Sequence, residues 1–104
     1  MNKTRREAAQ AKLEQLLAAH PATEGMYVRT WGDHLIIGRY ESFGPDGEPE
    51  ADDRVRLTAR TANSYGLSVR RHTGRWEKTP FSGTLDELID VVRSLMQHIV
   101  APYT

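Results

Sequence analysis

The sequence predicts an α+β fold: a two-layer sandwich in which an antiparallel sheet of four or five strands carries an N-terminal and a C-terminal helix on one face, in the order α-β-β-β-β-β-α. Three observations predict it. Apolar residues recur at helical spacing only towards the two ends of the chain, the period between them falls to two, and Gly-containing turns cut that middle region into hairpins.

The first helix is expected from Thr4, whose spacing to Glu7 is that of a capping box, to His20, where Pro21 stops it. Ala9, Leu13, Leu16 and His20, with Leu17 alongside, give it a narrow apolar stripe, so it docks by one face. The second helix opens on another capping box, Thr84 and Glu87. Leu85, Leu88, Ile89, Val92, Leu95, Met96 and Ile99 make its stripe much wider, ending before Pro102, which marks it as the main lid of the core.

Between the helices, "MYVRTW" and "HLIIGRY" flank Gly32-Asp33 as a tight hairpin. Pairing Trp31 with His34 places Met26, Val28, Leu35 and Ile37 on one face and Tyr27, Arg29, Trp31, His34, Ile36 and Tyr40 on the other. "RVRLTAR" puts Val55, Leu57 and Ala59 on the core side and Arg54, Arg56, Thr58 and Arg60 opposite. A last hairpin turns at Thr73-Gly74, opposing Arg71 to Trp76 and Arg70 to Glu77, with Leu67, Val69 and Trp76 inward and Ser68, Arg70, His72 and Arg75 outward. "LTARTANSYGLSV" reads either as one bent strand or as two strands joined at Ala62, Asn63 and Ser64. Val28, Ile37, Leu57, Leu67, Val69, Leu88, Val92 and Leu95 are the expected core.

A chain of 104 residues with 38% apolar composition bounds a single domain, residues 1–104. Within it, residues 42–53 of "ESFGPDGEPEADD" read as an acidic flexible loop, too polar and broken to be a strand, which either stays solvated or folds over the arginines and neutralises them. The "MNKTRREAAQAKLEQLLAAH" segment has no apolar h-region, and no stretch approaches the roughly 18 apolar residues of a membrane span. A cytoplasmic protein with no membrane association is expected. Fourteen basic residues balance fourteen acidic ones, so any electrostatic function requires segregation of charge.

Catalysis is not expected. The chain has no cysteine, which removes disulfides, thiolate chemistry and cysteine-ligated metals. Asp33 and His34 are neighbours that point to opposite faces, and His20, His72 and His98 have no partner at catalytic or metal spacing. "FSGT" is no nucleophile elbow, the acidic segment lacks the ligand spacing of an EF-hand, and no glycine-rich phosphate loop precedes a helix. Neither a cofactor nor a metal is expected.

Both helices need apolar partners and the sheet offers one apolar face, so the opposite face stays uncovered. Tyr27, Arg29, Trp31, Arg54, Arg56, Arg70 and Arg75 are the candidate binding residues there. Arginines neutralise phosphates and flat rings stack on unpaired bases, so single-stranded nucleic acid, above all RNA, is the expected ligand. The alternative is a protein-interaction adaptor or inhibitor that covers an acidic protein surface, or a homodimer, since aromatics and Arg are also enriched in interface cores. The bland reading is a solvated face on which Arg70 pairs with Glu77 and Trp31 packs beside its own turn. The helix, sheet, helix order loosely resembles that of double-stranded RNA-binding domains, but those carry lysines at the start of the second helix, where "GTLDEL" places Asp86 and Glu87. RNA-recognition motifs carry an aromatic signature strand that this chain lacks. No family follows from either.

Overall fold

A computed structural model of the chain describes residues 1–42 and 45–103. The observed order is α1 (Lys3–Ala18), β1 (Tyr27–Trp31), β2 (His34–Ser42), β3 (Pro49–Ala59), β4 (Tyr65–Arg70), β5 (Trp76–Gly83), α2 (Leu85–Leu95) and the short α3 (Gln97–Val100). The five strands form one antiparallel sheet in sequence order, and the helices supply the second layer.

α1 starts earlier than Thr4 because Asn2, an equally good capping residue, takes the Arg5 N–H on its side-chain oxygen at 2.8 Å. It also ends earlier than His20. The buried Thr23 hydroxyl donates to the Leu17 carbonyl at 2.8 Å, and Arg93 reaches the Leu16 carbonyl, so the last turn is closed by side chains returning from beyond the helix. His20 is therefore exposed, accepting the Ala22 N–H on Nδ1, and the buried stripe is Ala9, Leu13 and Leu17. α2 has the capping box its sequence announces, with Thr84 and Glu87 exchanging hydrogen bonds.

The core is one cluster. Leu13 and Leu17 from α1 and Leu88, Ile89 and Val92 from α2 close over Val28, Leu35, Ile37, Val55, Leu57 and Leu67 from the sheet. Two expected members differ. Leu95 is 61% exposed, because α2 stops there and the chain turns at Met96 (φ −125°, ψ 33°), so Met96 and Val100 fill the space instead. Val69 is only half-buried, near the open end of β4.

The register of the first hairpin is as the sequence implies, with Trp31 opposite His34, Thr30 opposite Leu35 and Val28 opposite Ile37. β3 and β4 are separate strands joined by a turn in which Arg60 and Thr61 donate to the Ser64 carbonyl. The last hairpin is shifted by one residue. Arg71 donates to the Arg75 carbonyl around His72, Thr73 and Gly74, with Gly74 at φ +86°, the three-residue loop that needs a left-handed third position. Arg70 thus opposes Trp76 and Val69 opposes Glu77, which turns Trp76 away from the core face; Glu77 pairs with Arg71 at 2.6 Å rather than with Arg70.

The acidic segment is not all loop. Pro49–Asp53 belongs to β3 and pairs with Gly38–Ser42 of β2; beyond Gly38, which Tyr27 of β1 still flanks, the described pairs from Arg39–Asp52 outward form a two-stranded ribbon. Its pairing lies on one side only. Phe43 and Gly44, within the same segment, lie outside the described residues.

Candidate binding face

The sheet face turned away from the helices is built from alternate residues of every strand. Tyr27, Arg29 and Trp31 come from β1, Ile36, Gly38 and Tyr40 from β2, and Asp53, Arg56 and Thr58 from β3. Gly66, Ser68 and Arg70 follow on β4, and Trp76 opens β5. Of the seven residues marked by the sequence, Tyr27, Arg29, Trp31, Arg56 and Arg70 meet here. Arg54 and Arg75 do not.

Arg54 is diverted by a bulge. The β2–β3 register steps from Ile37 opposite Val55 to Gly38 opposite Asp53, so Arg54 is an extra residue and faces the helix layer beside Val55. It is 3% exposed and fully engaged. Its guanidinium meets Asp52 at 2.6 Å and Glu41 at 2.8 Å, donates to the Ile99 and Ala101 carbonyls at 2.9 and 2.8 Å, and stacks on the Tyr103 ring at 3.9 Å. Arg39 does parallel work, donating to the carbonyls of Val100, Glu24 and Ala22. Arg75 falls outside β5, exposed in the turn.

The same bulge brings Asp53 onto the open face. Tyr27 donates to its Oδ1 at 2.5 Å, Arg29 grips both oxygens at 3.1 and 2.5 Å, and Arg70 stands 3.6 Å away. Burial opposes the negative charge on Asp53, but the hydrogen bonds from Arg29 and Tyr27 outweigh it and hold the carboxyl below its ordinary range. Burial first, and then the bond to Asp53, push the Tyr27 hydroxyl upward, so it stays a donor at all physiological pH. Gly38 makes this approach feasible. A Cβ there would overlap the Tyr27 ring and the Asp52 carbonyl.

Arg56 is placed differently. Its guanidinium lies 4.9 Å from the centre of the Trp76 ring, its Nε is buried with no hydrogen-bond partner, and it forms no ion pair among the described residues. Beside it runs a groove of about 490 Å³ whose lining includes Arg29, Trp31, His34, Ile36, Arg56 and Trp76. Ile36, the lateral neighbour of both Arg29 and Arg56, is 3% exposed, so the face has a small apolar floor. Trp31 and Tyr40 stand out from it at 72% and 62% exposure, Tyr40 with its ring 5.0 Å from that of Tyr27. Burial, and then the neighbouring Arg56, keep the His34 pKa below the usual imidazole value; its Nδ1 is 2.8 Å from the Thr58 hydroxyl.

Trp76 was not legible as a face residue while its hairpin register was set one residue off; the glycine ending His72-Thr73-Gly74 is the signal that corrects it. Lys78 and Ser68, both bordering the face, carry no sequence signal beyond strand parity. Among the described residues no three His, Asp or Glu side chains gather to hold a metal ion, and no helix is long and apolar enough to cross a membrane. Compared with protein-family models, curated proteins and solved structures, the chain finds no match.

Proposed function

We propose that the protein is a non-enzymatic binder of single-stranded nucleic acid, RNA foremost, and that the open sheet face is its binding surface. The observation that carries this reading is the combination of exposed rings at both ends of the face, Trp31 and Tyr40, with a cation between them, Arg56, that no carboxylate among the described residues pairs with. Base stacking on an aromatic ring is worth about 1–3 kcal/mol per base and tolerates any base. Tyr40 lies six positions along β2 from His34, the partner of Trp31, so the two residues stand about 20 Å apart along the strand at about 3.3 Å per residue. That span suits a chain of nucleotides better than one base. Arg29 and Arg70 share Asp53, which holds their guanidiniums in place while leaving one net positive charge among the three groups.

The test is a titration of oligo(U) and oligo(dT) followed by tryptophan fluorescence at two salt concentrations. Quenching is expected, with affinity falling steeply as salt rises and lost by about tenfold in Trp31→Ala, the equivalent of about 1.4 kcal/mol. Absence of quenching by either oligomer at low salt overturns the reading. Salt-insensitive capture of an acidic protein, or a concentration-dependent dimer in sedimentation without nucleic acid, would replace it by the adaptor, inhibitor or homodimer reading.

A further inference from the structure

The open face contains a second concavity, of about 310 Å³, that shares His34, Arg56 and Thr58 with the aromatic groove and extends over β4 and β5. Its lining includes the cations Arg56, Arg60 and Lys78 and no carboxylate. None of the three forms an ion pair among the described residues. A cleft of about 430 Å³ beside the β4–β5 turn is also rich in arginine, but Arg54, Arg70 and Arg71 there already meet Asp52, Asp53 and Glu77. Three uncompensated cations around one small basin repel one another, and an anion placed among them relieves that repulsion.

Two further features give the basin donors at short range. The Arg56 Nε–H is buried without an acceptor, and an orphaned buried donor of this kind is costly until something accepts from it. Ser68, 4% exposed and directly opposite Arg56 in the β3–β4 pair, has no hydrogen-bond partner for its hydroxyl among the described residues. The Arg60 stem lies across β4 at Gly66, where a Cβ would stand in ordinary contact with Arg60 Cδ at 3.4 Å.

We infer that this basin is a phosphate subsite, holding one phosphate group between Arg56, Arg60 and Lys78 while an adjoining base lies in the groove of Trp31 and Trp76. The inference rests on the nucleic-acid reading for the identity of the ligand, not for the basin's preference for a phosphate dianion or diester. Arg60 and Lys78 become binding residues that act by charge, and Ser68 and Arg56 give the phosphate oxygens their nearest donors.

Inorganic phosphate alone is the first probe, titrated at low salt and followed by amide shifts. Shifts concentrated at Thr58, Gly66, Ser68 and Lys78, and abolished in the exposed-residue double variant Arg60→Gln/Lys78→Gln, are expected. The second probe is oligo(U). The double variant should flatten the slope of log affinity against log salt by up to about 0.7, the share of the one phosphate the basin neutralises on a single strand, while Trp31 is still quenched at saturation. No phosphate-induced shifts, or an unchanged salt slope in a double variant that melts with the parent protein, overturns the subsite, and continued quenching of Trp31 by the oligomer would then leave the broader reading standing. Phosphate shifts in a protein that no oligomer quenches support the subsite and remove the nucleic-acid reading. A mononucleotide that binds as tightly as the oligomer supports the subsite and makes its source a free nucleotide.

Discussion

Arg54 and Arg56 stand two residues apart on one strand, and a single extra residue in the ladder separates their environments. Arg54 faces the helix layer, where two carboxylates, two backbone carbonyls and a tyrosine ring surround it. Arg56 faces outward onto Trp76, with no acid paired to it and one donor left over. The difference teaches what makes an arginine structural. Burial of a guanidinium is tolerable only when its donors and charge are fully met, and Arg54 meets that condition while drawing residues 99–103 onto the sheet. Arg56 leaves the condition unmet, since its Nε–H is buried without an acceptor and no carboxylate among the described residues pairs with it.

Replacing each arginine is the sharpest way to break the comparison. Arg54→Ala strands Glu41 and Asp52 and frees the carbonyls of Ile99 and Ala101, so a loss of about 3 kcal/mol in urea unfolding is expected, as for a buried pair that loses one partner. Arg56→Ala should change stability by no more than about 1 kcal/mol while weakening oligonucleotide binding, because its contacts are one ring and no ion. Equal losses of stability from the two would show that both arginines are structural and that the open face has no spare cation.

The bulge that separates them leans on Gly38. Alanine there must push aside both the Tyr27 ring and the Asp52 backbone, and a cost of about 1–3 kcal/mol is expected for such overpacking. If Gly38→Ala melts with the parent protein, Tyr27 does not lie over this position and the Asp53 cluster needs another account.

The helical caps at Thr84 and Glu87, the first hairpin and most of the core were readable because each depends on residues close in sequence. The bulge at Arg54 was not. Strict alternation in "RVRLTAR" argued for Arg54 and Arg56 on one face, and what turns Arg54 inward is a set of groups at residues 41, 99, 101 and 103 that no local pattern reveals. The β2–β3 ribbon escaped for a related reason. Residues 49–51 are exposed, so no apolar alternation marks them as strand. Reading that segment as acidic did capture part of its role, since Glu41 and Asp52 meet Arg54 and Asp53 is shared by Arg29 and Arg70, which leaves Arg56, Arg60 and Lys78 without an ion pair among the described residues.

Acid should test the Asp53 cluster. The folded pKa of Asp53 is lowered, so the stabilisation is complete above the unfolded value of about 3.9 and is lost as pH falls through the lower folded one. Asp33, Asp86 and Glu87 are shifted the same way, so the informative quantity is the difference between the parent protein and Asp53→Asn. Above pH 5 the variant should be less stable by on the order of 1 kcal/mol, given the half-exposed Arg29 partner, and the gap should narrow as pH falls below the unfolded value through the lower folded one. A gap that persists in acid would mean that Asp53 acts by packing rather than by charge.

The smallest expected effect is at His34, and its sign differs between folding and binding. Burial and Arg56 lower its folded pKa, with Asp33 offsetting part of the shift, so neutral His34 is the form that the fold favours. Its contribution to stability is present above the unfolded value of about 6.5 and is lost as pH falls through the folded one. Binding runs the other way. An anion seated beside Arg56 offsets the Arg56 charge, the second cause after burial of the lowered His34 pKa, so that pKa rises and proton uptake accompanies binding. Oligonucleotide affinity at fixed salt should therefore increase as pH falls from 7.5 to 5.5. His34→Gln should remove that increase while His20, His72 and His98 remain as internal controls. If the increase survives the substitution, the proton is taken up elsewhere, and the phosphate does not lie beside Arg56 and His34.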